Sequence, residues 1–553
     1  MKEMGHEKLL KLKVLSSLAK VFADEEPGDT RRNSGTMLSN EVYSFQVAYC
    51  WDGAMLKNIK TDVDSELAPW ITVRAVGLVP SEMPCYFDHD ENVLRTVPGL
   101  YPDLLIPTGE GGIVLLPGQW RSLWVTVDPR GKGRAGVYPI DLIFRNQEGE
   151  ELGKAEFHLE IIPAELPAQS LIHTEWFHSD CLATYYGVEI FSERHWKIIE
   201  QFVRTAAGHG VNMILTPLFT PPLDTEPGGE RPTVQLVDVE KTGEEYRFGF
   251  EKLSRWVKMC LGAGIKYFEF SHLFTQWGAS HAPKIMATEN GVMKRIFGWE
   301  TDSSGKEYQC FLDQFLPALK GFIRQNGLEK RSYFHVSDEP HIDHIESYKK
   351  AGGVIYRHLE NYPVMDALSD YKYYEMGLVR NPIPSADHIE AFLEHHVPNL
   401  WTYYCCGQYK KVSNRFFNMP SARNRILGMQ LYKYNIKGFL HWGYNFWYSQ
   451  YSRYPINPYI VTDAGCAFPS GDAYIVYPGK DGPLESLRLE VFYEALQDMR
   501  ALALLESMIG RDAVVGMLEE GLDAPITFSR YPADAEWLLN KREQINRKIA
   551  SLY

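Results

Sequence analysis

One cadence recurs through the middle of this chain and limits what it can become: an amphipathic helix, a glycine turn, then a short apolar strand. Trp196, Ile199, Phe202, Val203 and Ala206 fall on one helical face behind Ser192, which is placed to cap the helix. Gly208 and Gly210 end that helix, and Val211 to Leu215 reads as a strand. Leu253, Trp256, Val257 and Cys260 form the next face, Gly262 and Gly264 stop it, and Ile265 to Phe270 is the next strand. Phe311 to Ile323, then Asn326-Gly327, then Tyr333 to Asp338 repeat the unit. Leu171 to Phe177 precedes these strands; Val364 to Ala367, Leu400 to Tyr404 and Ile436 to Trp442 follow. Strands alternating with helices imply parallel pairing through crossover connections. About eight strands between 168 and 478 fit a (β/α)8 TIM-type barrel. An open doubly wound sheet is the alternative, although no Gly-x-Gly-x-x-Gly follows an early strand.

The flanks read differently. Residues 1–167 carry alternating strands with turn residues between them, among them Phe45 to Tyr49, Leu123 to Val127, Val137 to Phe144 and Ala155 to Ile161. This is the pattern of a β-sandwich accessory domain. Residues 479–553 are helical by spacing, with Leu487, Leu489, Val491, Phe492, Ala495 and Leu496 available to pack on the barrel. Arg488 within them reads as an ordinary salt-bridge partner. The expectation is therefore a multidomain α/β protein.

A formal charge of −14 with no basic stripe excludes a nucleic-acid partner. No window approaches 18 apolar residues, and Met1 to Asp24 has scattered Lys and no signal-peptide run, so no membrane association is expected. None of the eight cysteines forms a Cys-x-x-Cys pair, which argues against zinc and for a reducing, cytoplasmic setting. No cofactor or metal is implied, and oligomeric state stays open.

The predicted barrel strands place chemistry at one mouth. The fourth ends in Val336-Ser337-Asp338-Glu339-Pro340, two adjacent carboxylates where catalytic groups of such barrels collect. Pro340 pushes Glu339 toward an extended backbone. Other strand ends carry Glu175, Trp176, His178, Glu269, His272, Trp277, Asp366, Tyr403, Tyr404, His441, Trp442, Tyr444, Asn445 and Trp447. Aromatic rings for sugar CH faces, with carboxylates, His and Asn for hydroxyls, form the lining of a carbohydrate site. Glu175, His272, Trp277, Tyr403, His441, Trp442, Tyr444 and Asn445 are the candidate substrate-binding residues.

Glycoside hydrolysis usually takes two carboxyl groups across the scissile bond. Leu400 to Cys406 and Ile436 to Trp447 contain no Asp or Glu, so a late-strand nucleophile is missing. Neighbouring carboxylates allow another scheme: one protonates the leaving oxygen, and the other holds a 2-acetamido group whose carbonyl oxygen attacks the anomeric carbon.

Ser337-Asp338-Glu339-Pro340 on a mid-barrel strand resembles glycoside hydrolase family 123 and its uncharacterised relatives. So do Tyr477-Pro478-Gly479-Lys480-Asp481-Gly482-Pro483, Ser486-Leu487-Arg488-Leu489-Glu490 and Ala495-Leu496-Gln497-Asp498. The resemblance implies a retaining exo-β-N-acetylhexosaminidase using substrate assistance, with N-acetylgalactosamine the sugar it points to. It makes Glu339 the general acid/base and Asp338 the group that orients and stabilises the acetamido group. The rival readings are a conventional glycosidase with Glu175, Glu269 or Asp366 as nucleophile, and a non-catalytic carbohydrate-binding protein.

Overall fold

A computed structural model describes residues 9–340 and 342–553; the start of the Lys-bearing N-terminal stretch lies outside them. The protein is a multidomain mixed α/β chain that divides into two compact units. One comprises residues up to Gln169 with Lys411–Lys433 and Leu484–Tyr553; the other comprises Ser170–Lys410 and Tyr434–Pro483. This division differs from three consecutive domains bounded at 167 and 478. The two late segments belong with the N-terminal sheets because their buried charges find partners there.

In the first unit, Leu10–Ser16, Tyr43–Trp51, Trp120–Val127, Ile71–Ser81 and Gly99–Pro107 pair in that order as an antiparallel sheet. A second sheet orders Ser34–Leu38, Glu151–Ile162, Gly136–Arg145, Leu56–Asp64 and Ile113–Leu115. All four N-terminal strands read from the sequence are present. One core takes side chains from both sheets, with the Phe45 and Phe157 rings stacked at 4.1 Å.

The helix Leu487–Ile509 starts at Ser486, whose hydroxyl accepts the Leu489 N–H. Arg425 donates to Glu494 and Asp498, Asp498 also accepts from Arg542, and Arg542 reaches Glu41. Arg488 forks onto Asp103 at 2.8 and 3.0 Å, the salt bridge expected of it. Buried charges are tolerated only when paired in this way.

The second unit carries the strand-helix repeat. Its strands are Ile172–Glu175, Met213–Thr216, Tyr267–Phe270, Ser332–Tyr333, Met365–Ala367, Asn381–Ile383, Trp401–Tyr403 and Gly438–His441. Each pairs in parallel with the next: ladders join the first four, the fifth to the sixth, and the seventh to the eighth. Single parallel bridges, Phe334 to Val364 and Ser385 to Tyr403, make the other two joins. The eighth strand pairs with the first, Ile172 opposite Gly438 through Glu175 opposite His441. A Cβ on Gly438 would meet the Trp401 ring at 1.9 Å, so that position admits glycine alone.

The sixth strand is the one the sequence pattern hid. Asn381-Pro382-Ile383-Pro384 reads as a loop, because proline cannot donate to a ladder. The helices match their expected faces: Ser192 caps Glu193–Gly208 by accepting from His195 N–H, and Trp196, Ile199, Phe202, Val203 and Ala206 are buried. A four-stranded sheet, formed by Asp238–Thr242, Glu245–Gly249, Ile285–Glu289 and Val292–Phe297, is inserted on either side of the third strand. No helix among the described residues is long and apolar enough to cross a membrane.

Candidate active site

The C-terminal ends of the parallel strands surround a pocket of about 170 Å³. Asp338 and Glu339 stand on its wall with Trp176, Trp277, Tyr403 and Trp442. The extended backbone anticipated at Glu339 is not what forms. The ladder of the fourth strand stops at Tyr333, and Glu339 takes a left-handed φ of 41° with its N–H bonded to the Ala367 carbonyl at 3.2 Å. Trp277 also has positive φ, 58°, and its N–H donates to the Asp338 carbonyl at 3.0 Å. Asp224 and Tyr451 in the same wall share this conformation, with φ of 38° and 60°. Four non-glycine residues in this costly backbone region line one pocket, and that concentration makes it the candidate site.

The two carboxyl groups differ in their surroundings. Tyr403 Oη donates to Glu339 Oε1 at 2.6 Å. Burial, then the charge of Glu339 beside it, holds the Asp338 carboxyl well above the usual carboxylate range. The pair therefore keeps a proton when isolated carboxylates have lost theirs. Burial and the Glu339 carboxylate also push the Tyr403 phenol far up, so it remains an O–H donor. Trp442 is fixed by its indole N–H donating to Asp472 Oδ2 at 3.0 Å. Trp277 meets Tyr451 edge-on at 5.8 Å between ring centroids.

Trp277, Tyr403 and Trp442 thus line the pocket, and Glu175, His272, His441, Tyr444 and Asn445 do not. These five are buried and serve the scaffold. His173 Nε2 lies 3.2 Å from Glu175 Oε1, and His441 Nδ1 lies 3.7 Å from Glu175 Oε2. Tyr444 donates its hydroxyl to the Phe202 carbonyl, and Asn445 bonds both the N–H and the carbonyl of His178. His272 stacks on His335 with centroids 4.1 Å apart, and burial keeps it neutral by pulling its pKa well down.

Glu269 and Asp366 are also absent from the pocket wall. They hold His335 between them, Nε2 to Glu269 at 2.6 Å and Nδ1 to Asp366 at 3.2 Å. Burial opposes a charge there, but the two carboxylates prevail and raise the imidazole to about 10. Glu269 accepts from Thr174 and the Trp176 indole as well, and Asp366 from Tyr348 and the Val336 N–H. His272, His335 and Asp366 are close enough to share a metal ion. Both His335 nitrogens are already committed to carboxylates, so the donor set fits an ion pair better than a metal.

Sequence reasoning missed Asp224, Gln276, Cys405, Cys406, Gln450, Tyr451 and Phe468, all in the pocket wall. The signal for Asp224 was present: it closes the Pro221-Pro222-Leu223 loop after the second strand. Gln450 and Tyr451 come from a loop far beyond the last strand and leave no such trace. A larger, open cleft of about 950 Å³ lies beside the inserted sheet. Its Asp238 is paired with Lys252, and it lacks the strand-end carboxylates.

A family model described as the catalytic domain of glycoside hydrolase 123 matches residues 176–505. Among solved structures, a family 123 glycoside hydrolase from Clostridium perfringens, described for glycolipid glycan hydrolysis, is 14% identical with a TM-score of 0.74. The alignment covers 98% of this chain and 97% of that one, a likeness of fold over the whole length. A β-glucuronidase from Parabacteroides merdae aligns at 10% identity over 89% of this chain and 51% of its own, with a TM-score of 0.31 that carries no argument. No curated protein matches the sequence.

Proposed function

The chain belongs to glycoside hydrolase family 123, and from that premise we propose that it removes a β-linked N-acetylhexosamine from the non-reducing end of a glycan. N-acetylgalactosamine is the preferred sugar. The ring of parallel strands is read as a (β/α)8 catalytic barrel and the two N-terminal sheets as an accessory sandwich. The observation that carries the reading is the adjacent Asp338–Glu339 pair on the wall of a pocket with room for one pyranose ring.

Before substrate binds, burial and the neighbouring charge favour keeping one proton on the pair. A bound acetamido N–H and the positive charge that develops on its nitrogen favour the ionised form of Asp338, which leaves the proton on Glu339. Glu339 then protonates the glycosidic oxygen as that bond to the anomeric carbon breaks. The acetamido carbonyl oxygen bonds to the same carbon and closes a cationic oxazolinium ring, balanced by Asp338. Glu339, now a base, takes a proton from water that opens the ring, and the sugar leaves with retained configuration. Tyr403 steadies the Glu339 carboxylate at each turn. Trp277 and Trp442 offer faces to the ring's CH groups. Eight free thiols support a reducing, cytoplasmic setting.

The test is release of nitrophenol from β-linked N-acetylgalactosamine, N-acetylglucosamine, galactose and glucose. Turnover confined to the N-acetylated pair supports the reading. Comparable turnover of galactose or glucose refutes substrate assistance.

A further inference from the structure

The mechanism leaves one acid in the pocket wall without a task. Asp224 lies in the loop after the second strand, and its neighbours hold it by nearly every polar atom. Its N–H donates to Gln276 Oε1 at 2.7 Å, its carbonyl accepts the Ser452 hydroxyl at 2.7 Å, and its Oδ2 accepts the Tyr451 N–H at 3.0 Å. Its left-handed φ is part of the same clamp. Among the described residues, Oδ1 makes no hydrogen bond. A turn needs one carboxylate oxygen at most, and asparagine would close it as well without the cost of a half-buried charge.

Burial pushes its carboxyl up to about 6, against the help of the Tyr451 N–H and Arg231. A bound partner that donates hydrogen bonds would reverse that penalty. The cation nearest to pairing with it is otherwise engaged: Arg231, itself buried, forks onto Asp180 at 2.8 and 2.9 Å.

We infer that Asp224 is a specificity residue, its free Oδ1 accepting a hydrogen bond from a ring or exocyclic hydroxyl of the sugar enclosed by the pocket. The inference rests on the glycosidase reading above, in which the acetamido oxygen is the nucleophile and a third carboxylate is free for recognition. A carboxylate acceptor discriminates sharply, because a sugar lacking the hydroxyl leaves the charge dry and unpaired.

The experiment compares wild type with Asp224→Asn on nitrophenyl N-acetyl-β-galactosaminide and its 3-, 4- and 6-deoxy analogues. Calorimetry with the corresponding free sugars runs in parallel. Asn keeps an oxygen for the Tyr451 N–H, and matched melting curves establish folding. On the parent sugar kcat/KM and affinity should fall by about 10- to 100-fold, the range for a hydrogen bond to a charged group. On one deoxy analogue the two proteins should agree within about 3-fold, since the contact is already gone. Equal losses on every analogue, or none on any, overturn the assignment. A 2-fluoro sugar trapped covalently on Asp224 makes it the nucleophile and overturns it together with substrate assistance. If wild type prefers galactose or glucose, that reading alone falls, and the deoxy series is run on the sugar it takes. Wild type that neither binds nor hydrolyses any of them overturns both.

Discussion

Replacing Tyr403 by Phe removes one oxygen and keeps the ring, so it probes the hydrogen bonds of that hydroxyl, to Glu339 and to Ser369. That oxygen donates to Glu339 Oε1 at 2.6 Å inside the pocket. A hydrogen bond to a charged acceptor contributes about 1.5–3 kcal/mol. It favours the carboxylate over the acid, so its loss makes ionisation of the pair costlier. In the proposed role of general acid, Glu339 acquires its charge in the transition state, so the same energy is lost from catalysis. The expected fall in kcat is about 10- to 100-fold. The assay is a pH profile on a disaccharide substrate, whose poor leaving group makes protonation matter. In wild type the alkaline limb reports loss of the proton held by the Asp338–Glu339 pair; in Tyr403→Phe it should move to higher pH while the plateau drops. The two signs together are the test. A lower plateau with an unmoved limb means that Tyr403 does not touch the catalytic acid. An unchanged profile means that Asp338 carries the proton and the roles of the pair must be exchanged.

Glu339→Gln should lower turnover of the same disaccharide by about 10²- to 10⁴-fold, and least with an activated nitrophenyl leaving group that needs no acid. Asp338→Asn should damage N-acetylated substrates severely; near-normal turnover by steady-state assay would refute the acetamido role. Alkylation of Cys406, half-buried in the pocket wall, should abolish activity by filling the roughly 170 Å³ space, and Cys406→Ala should resist the reagent. His335→Gln strands Glu269 and Asp366 without their cation and should cost about 3–5 kcal/mol of stability at neutral pH. Because the folded imidazole is raised to about 10, its contribution is complete below the unfolded value of 6.5 and is lost as pH rises through 10. The melting-temperature gap between the two proteins should therefore narrow from pH 7 to pH 10, and a constant gap would contradict the pairing.

The sequence made some of this molecule readable and concealed the rest for identifiable reasons. Strands flanked by glycine turns were visible because burial on both faces demands apolar runs, as at Met213 to Leu215. Asn381–Ile383 was invisible because its proline pattern belongs to loops. Asp338 and Glu339 could be found from position alone, at the tip of a strand. Tyr403 and Trp442 followed from the same rule, which failed for His441, Tyr444 and Asn445. Those three sit within a few positions of Trp442, but Tyr444 and Asn445 turn inward to bond the Phe202 carbonyl and the His178 backbone, and His441 faces Glu175. A strand end names a neighbourhood; only the local hydrogen bonds decide which side chains face the ligand. Loop residues such as Gln450 and Tyr451 reach the pocket by contacts with the Asp224 loop that no periodicity encodes.

The interleaving of the two units has a consequence for how the protein comes off the ribosome. Glu41 awaits Arg542, 501 residues downstream, and Ser17 awaits Glu494, 477 residues downstream. The sheets emerge before the intervening unit, and their companion helices only after it. Ordinary vectorial folding, in which each domain closes before the next is made, is therefore denied to this unit. Its nascent strands must wait with carboxylates unpaired and apolar faces uncovered while the intervening unit is synthesised. Synthesis of residues 484–553, rather than the passage of residue 169, is the event that lets it close.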